Sequence, residues 1–494
     1  MAEASRDGRH RLREALYDVT TDKALSRCGR YALGGGVTPK VTPGGSAYFA
    51  GLATCGKVHV CPCCGAKIRS ARTVELQAAG TAWEDIGGVN GPKIRPARAA
   101  WKKNINDRTA EDWAAIEAAE GLQAGGLGML TLTMRHYARH TLAELVTQQR
   151  DAWKKALGQN AGRDWRKAKK DYGVIGFVRA WEVTYGEANG WHPHWHVLVF
   201  FDKPLTPEQG EALEEVIYEA WSTALQEVGA YLPDREHGVR LDLSGHGEGG
   251  PLARYLMKYQ DGKAAWTTAA EMTRTDTKAG RDGHRTPFEI ARVLLDEDAA
   301  DDDRAQTVRL WQEYESAARG MRALYWSNGL RKRLAALVEL DERTDGEIAA
   351  EERQGEALAV ILADPWHQHI ARRKGRSLQL LKAAEKGGQV KVRALVESWG
   401  LVWGRDVLPP PPVDLEAAKE RTEELLDRRG VEGDDRQRKA HRVAKKSAVP
   451  AARKASVVAK TKAPKKAAAH CTECGGALDT RLAGASGAGR HIGC

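Results

Sequence analysis

The segment from Val174 to Phe201, VIGFVRAWEVTYGEANGWHPHWHVLVFF, constrains the fold more than any other part of the chain. Two runs rich in β-branched and aromatic residues, Ile175–Tyr185 and Trp191–Phe201, flank a turn bounded by Gly186 and Gly190. That pattern predicts an antiparallel hairpin. Strand side chains alternate between faces, so His192, His194 and His196 share one face and Trp195 and Val197 the other. Closing the turn with Tyr185 against Trp191 puts Glu182 opposite His194. A carboxylate facing an H-x-H pair offers three donors to one divalent cation. His192, at the strand mouth, is a fourth candidate. The competing reading is a strand whose polar face happens to carry imidazoles.

Eight cysteines lie in two clusters at opposite ends of the 494 residues. C-x-x-C spacing in a long chain reads as metal binding in a reducing compartment rather than as a disulfide framework. Cys28, Cys55, Cys61 and Cys64 form a candidate Cys₄ structural zinc site, with Cys63 the spare thiol and His59 an alternative to Cys28. Cys471, Cys474, His491 and Cys494 suit a second, zinc-ribbon-like site, in which His470 competes with His491. The alternative in both places is free thiols.

The remaining pattern divides the chain. Residues 1–80 form a Cys-rich zinc-binding segment and 81–127 a linker or insertion with a helix near Thr109–Ala119. Residues 128–285 hold the hairpin, a short strand at Met129–Thr133, a basic helical stretch Leu142–Lys170, an amphipathic helix over 207–228 and a short strand at Leu241–Leu243. This alternation predicts a compact α+β domain. Residues 286–408 read as mostly helical, opened by Thr286-Pro287-Phe288-Glu289, a cap, a first-turn proline and a capping-box glutamate. Residues 409–469 hold a four-proline break and a basic disordered tail, and 470–494 the second cysteine module. No run approaches the roughly 18 apolar residues of a membrane span. The N-terminus lacks the apolar core of a secretory signal. A cytoplasmic protein with no membrane partner is expected.

Tyr255 and Tyr259 in ARYLMKYQDGK are four apart, hence neighbours on a helix, with Arg254, Lys258 and Lys263 around them. Two packed tyrosines are the ordinary reading. Next to a metal-binding strand, cations around a phenol suit a nucleophile.

Thr131-Leu132-Thr133, then His194-Trp195-His196, then Tyr255–Tyr259 follow in the order of the three motifs of HUH endonucleases. More closely, EVTYGEANGWHPHWHVL, WSNGLRKRL (Trp326–Leu334) and CGKVHVCPCCGAKIR (Cys55–Arg69) resemble segments of rolling-circle replication initiators of actinobacterial plasmids. The resemblance spans roughly residues 25–335. It implies a central antiparallel sheet with helices on one face and the histidine strand in the middle. It also implies that His194 and His196 hold Mg²⁺ or Mn²⁺ against the scissile phosphate, to which the hairpin register adds Glu182 and, at the strand mouth, His192. Tyr259 or Tyr255 then attacks, with Lys258 beside it, leaving a 5′-phosphotyrosyl link and a 3′-OH primer. Arg254, Lys263, Thr131 and Thr133 would meet the DNA. The partners implied are plasmid origin DNA, a host helicase, because the chain lacks a Walker motif, and a DNA polymerase. Position 255, a tyrosine where some plasmid initiators carry a glutamate, suits either a two-tyrosine cycle or one nucleophile and one structural tyrosine. An HUH relaxase or transposase and a zinc-bearing DNA-binding regulator without nuclease activity are the alternatives.

The formal charge is +10. Arg436–Lys466 alone carries twelve Lys and Arg and no Asp or Glu, so the rest of the chain is slightly acidic. Such a run makes salt-sensitive phosphate contacts without sequence preference. Deleting residues 436–466 is expected to weaken DNA affinity and flatten its salt dependence while sparing cleavage at saturating DNA. Affinity measured against salt concentration, beside a cleavage assay, checks this.

Overall fold

The computed structural model describes residues 6–158, 161–244 and 284–410. The tyrosine segment Arg254–Lys263, the basic run and the second cysteine module lie outside the described residues. Among the described residues the chain is α+β, with two antiparallel sheets and many helices. The strands are β1 Gly36–Val41, β2 Ala47–Ala50, β3 Gly126–Leu132, β4 Val174–Gly186, β5 Gly190–Phe201, β6 Val239–Leu243, β7 Tyr325–Trp326, β8 Glu356–Ala357, β9 Val360–Leu362 and β10 Val407–Leu408.

The β4–β5 hairpin takes the register that the sequence predicts, with Tyr185 opposite Trp191 and Glu182 opposite His194. Pairing runs to Gly186 and Gly190, so the turn is shorter than expected and consists of Glu187, Ala188 and Asn189. Gly190 has φ +73°, the left-handed region that three-residue hairpins use at this place. A Cβ there would also lie 3.0 Å from the Cα of Ala138. The sheet order is β6-β3-β5-β4-β7. The histidine strand is therefore central, with Thr131 of β3 opposite His196.

Helices cover both faces of this sheet. On one face Trp195, Val197, Val199 and Phe201 pack with Leu130 and Leu132 against Trp153 of the helix Leu142–Ala156 and Trp221 of the helix Pro207–Glu227. On the other, Leu198 and Phe200 pack with Val178 and Ala180 against Leu76, Ala79 and Trp83 of the helix Pro62–Ile86. The family resemblance implies helices on one face. The difference follows from β5, which is apolar at every position from Val197 to Phe201 and so needs a cover on each side. Only its first half, where the histidines stand, breaks that run.

A second sheet has the order β10-β9-β1-β2, with β8 also on β1. Val37, Ile361, Trp366, Leu380 and Val396 form its core with the helix Arg376–Ser398. Trp366 donates its indole N–H to the Arg30 carbonyl at 2.8 Å, and Arg6 pairs with Glu385. Residues 36–50 and 356–408, assigned by the sequence to a zinc segment and to a helical region, thus share one core. Strands of two and three residues carry no period-2 signal, which is why the pattern reads as helical there.

Elsewhere the local chemistry matches its expectation. Thr286 caps Pro287–Ala291 and Glu289 completes the capping box, although this helix is short and passes into a 3₁₀ turn. Boxes of the same kind start the helices at Leu142 and Pro207.

Trp221 is fully buried and its indole N–H donates to the Thr133 carbonyl at 2.6 Å. Trp221→Ala is expected to cost about 3–5 kcal/mol through the cavity and the lost bond. The exposed Trp113 is the control, with an effect within about 0.5 kcal/mol on replacement by alanine. Urea unfolding followed by circular dichroism compares the two.

Candidate functional site

The hairpin register brings Glu182, His194 and His196 into one group whose donor atoms all lie within 4.8 Å of one another. The Oε2 of Glu182 is 2.8 Å from His196 Nε2 and 3.3 Å from His194 Nε2. Glu182 and His196 are buried and His194 is half-buried, so the group opens to solvent on the His194 side. Both Nδ1 atoms have partners on the far side of their rings. His196 Nδ1 lies 3.4 Å from Thr131 Oγ1, and His194 Nδ1 lies 3.4 Å from the His192 carbonyl. A proton held on each Nδ1 leaves the Nε2 lone pairs converging on the carboxylate, the arrangement that metal-binding histidines use. The donor set, two imidazoles and a carboxylate, fits a divalent cation with positions left for phosphate oxygens.

His192 is not in this group. Its ring stacks on His136 at 4.7 Å and lies 5.3 Å from the ring of His194. Burial, and then the imidazoles of His194, His136 and His284, push its pKa down to about 3. It stays neutral and lines the site. Thr131, expected at the DNA, is placed to orient His196. Thr133 donates its hydroxyl to the His237 carbonyl at 3.2 Å. Thr131 is the β3 partner of His196, and no pattern within one strand reveals which residue its neighbour presents. His136 was missed for the same reason, since it reaches the hairpin only across a turn, where its Nδ1–H donates to the Asn189 carbonyl at 2.9 Å.

The first cysteine cluster also converges. Cys28, Cys55, Cys61 and Cys64 form the second group with donors within 4.8 Å of one another. Their Sγ atoms are 3.7 Å (Cys28–Cys61), 3.5 Å (Cys28–Cys64) and 3.8 Å (Cys55–Cys64) apart. A tetrahedral zinc with bonds of about 2.3 Å has S···S edges of about 3.8 Å, whereas a disulfide needs about 2.05 Å. The spacing fits a metal. Cys61 caps the helix Pro62–Ile86, its Sγ accepting from the Cys64 N–H, so the helix start itself sets two donors.

The charge balance points the same way. Hydrogen bonds from Cys55, Cys61 and Cys64 pull the Cys28 thiol far below its ordinary pKa. Cys28 in turn pushes Cys55 up, and burial pushes Cys61 up. Cys64 also lies below its ordinary pKa, Cys28 opposing and Cys55 and Cys61 favouring its thiolate, so negative charge gathers among the sulfurs and suits a cation between them. Arg13 is buried nearby. Burial opposes its charge, yet Cys63, Tyr17, Cys28 and Cys61 raise its pKa above the ordinary range, so it stays charged and offsets thiolate charge. Gly29 makes room for it, since a Cβ there would lie 2.1 Å from the Arg13 guanidinium. Cys63 stands apart, its Sγ 3.6 Å from the Arg9 carbonyl. His59 is also apart, with Nε2–H donating to the Arg322 carbonyl at 3.2 Å and the ring edge-on to Trp181.

With both groups in place, the chain can be compared with known proteins. The family described as Replication protein matches residues 99–226. A protein of Streptomyces lividans described as "Protein rep" is 31% identical over 380 residues, covering 71% of this chain and 79% of that one. The chain belongs to the Rep family of replication proteins. A "Neomycin resistance protein" of Streptomyces cyanogenus is 29% identical over 175 residues, 34% of this chain and 35% of that protein. No solved structure matches. The family match takes in β3, β4, β5 and nearly all of the helix Pro207–Glu227, and with them the Glu182–His194–His196 group.

Cobalt(II) added to the metal-stripped protein is expected to give the intense thiolate charge-transfer band of a tetrahedral sulfur site, displaced by zinc. Cys28→Ser should abolish that band and lower the thermal midpoint, while Cys63→Ser should leave both unchanged.

Proposed function

We propose that this Rep-family chain initiates rolling-circle replication of a plasmid by nicking one strand of the origin and later rejoining it. The observation that supports the reading is the Glu182–His194–His196 group on the β4–β5 hairpin of a replication protein. In this reading the fold is HUH-endonuclease-like, the nuclease unit is 128–285, and the origin is met as a single strand or hairpin. Glu182, His194 and His196 would hold Mg²⁺ or Mn²⁺, which when bound would supply positive charge to the phosphoryl oxygens at the cleavage point. Thr131 keeps His196 in the tautomer that leaves Nε2 free. The phenol oxygen of Tyr259 or Tyr255 attacks phosphorus, with Lys258 favouring the phenolate. The bond to the 3′ oxygen breaks, that oxygen takes up a proton, and the 5′ phosphate stays on the tyrosine. The free 3′-OH is a primer for a host polymerase, with a host helicase opening the duplex. Zinc on the four thiolates has a structural part.

Supercoiled plasmid carrying the cognate origin, incubated with protein and Mg²⁺ or Mn²⁺, should give relaxed circles and a covalent protein–DNA adduct. Combining Tyr255→Phe with Tyr259→Phe should remove the adduct. Mass spectrometry of the trapped wild-type species identifies the tyrosine that carries phosphate. His194→Ala with His196→Ala should slow nicking by about a hundredfold or more. A DNA-binding regulator would leave the plasmid supercoiled, and an adduct surviving the double tyrosine change would refute the chemistry.

A further inference from the structure

Beside the metal group the surface carries a second feature that the nicking chemistry does not use. After β3 the chain turns over the tip of the hairpin and exposes Tyr137 and Arg139. The segment leading into β6 brings Tyr231 alongside, held by an isolated β-bridge between Arg135 and Tyr231. The two tyrosine rings stand edge to face at 5.1 Å. The Arg139 guanidinium lies 4.9 Å from one ring centre and 5.5 Å from the other, and it donates to the Tyr231 hydroxyl. His140 completes the group, 5.8 Å from Tyr137 and 5.6 Å from Tyr231. Tyr137 is 37% and Tyr231 42% exposed, so both side chains reach solvent.

This cluster is continuous with the metal group. Residue 136, next to Tyr137, stacks on His192, and His192 neighbours His194. The exposed tyrosines thus begin one residue along the chain from His136, whose ring joins His192 and, through it, the His194 and His196 imidazoles. Aromatic faces with an interleaved arginine are the surface on which unpaired bases stack, since every base has a π-face and each phosphate a negative charge. Double-stranded DNA hides those faces.

We infer that Tyr137, Tyr231 and Arg139 form a stacking platform that holds unpaired bases of the DNA strand beside the metal group. This rests on the nicking reading for its choice of ligand, because a nicked single strand must pass the metal group and its flanking bases must go somewhere. The rings position the strand and take no part in bond breaking.

The test uses the full chain without added Mg²⁺ or Mn²⁺ and fluorescent oligodeoxythymidylate of about 20 nucleotides, with an abasic strand of equal length as the second probe. Tyr137→Ala combined with Tyr231→Ala should weaken oligodeoxythymidylate binding by about tenfold or more. The loss should be similar at every salt concentration, because stacking releases no counterions. Binding of the abasic strand should change by less than about twofold. Tyr137→Phe with Tyr231→Phe, which keeps the ring faces, should bind like wild type. Unchanged oligodeoxythymidylate affinity in the alanine variant overturns the platform, as does an equal loss on the abasic strand, which would follow from misfolding or lost phosphate contacts. The nicking assay is read separately. Cleavage intact in a wild-type protein whose alanine variant binds normally would remove the platform and leave the nuclease. Ring-dependent binding in a protein that never nicks would remove the nuclease and leave the platform.

Discussion

The pairing of β4 with β5 is the constraint on which the candidate site depends. A slip of one residue would turn Glu182 away from the histidines, since neighbouring side chains point to opposite faces. Three features hold the register. The Glu187–Asn189 turn closes through Gly190 in a backbone region that disfavours other residues. Trp181 and Trp195 are opposite each other on one face and buried in its core. Leu198 and Phe200 are buried on the other. A slipped hairpin would take these side chains out of the two cores they fill and turn the imidazoles into the opposite core, and each large apolar side chain left without its packing costs about 1.5–3 kcal/mol. The Glu182–His194–His196 group is thus held by the hydrophobic core rather than by its own weak polar contacts.

The thiolate cluster bears on the same sheet from a distance. The helix that begins at Cys61 continues through Leu76, Ala79 and Trp83, which cover the histidine-bearing face beyond the site. The loop before it places His59 against Trp181 and accepts the Tyr314 hydroxyl on the His59 carbonyl at 3.0 Å. Four convergent sulfurs at the start of this helix therefore tie loop, helix and sheet together. Their mutual repulsion as thiolates is the physical reason that such a cluster belongs with a cation.

Much of the site was legible because its elements are local. The hairpin spans fewer than thirty residues, its turn is marked by glycines, and alternation along β4 and β5 tells which residues share a face. That was enough to pair Glu182 with His194. The Cys61-x-x-Cys64 spacing likewise follows from one turn of helix. Contacts between distant segments left no such mark. Nothing near Thr131 announces that its hydroxyl will meet His196, and nothing near Tyr137 announces Tyr231. The second sheet joins residues more than 300 positions apart, through strands too short to show a period, so the helical reading of 286–408 missed it.

By itself the sequence determined the hairpin, its register, the Glu-His-His face and the Cys61-x-x-Cys64 pair, because each depends on backbone periodicity within a short stretch. The tertiary structure decided that Cys28, and not His59, joins Cys55, Cys61 and Cys64. It also decided that helices close both faces of the sheet, that Thr131 backs His196, and that the chain's early and late segments build one core. Those outcomes depend on which surfaces meet after folding. Burial and packing choose among them, and a single stretch of sequence does not encode its partner.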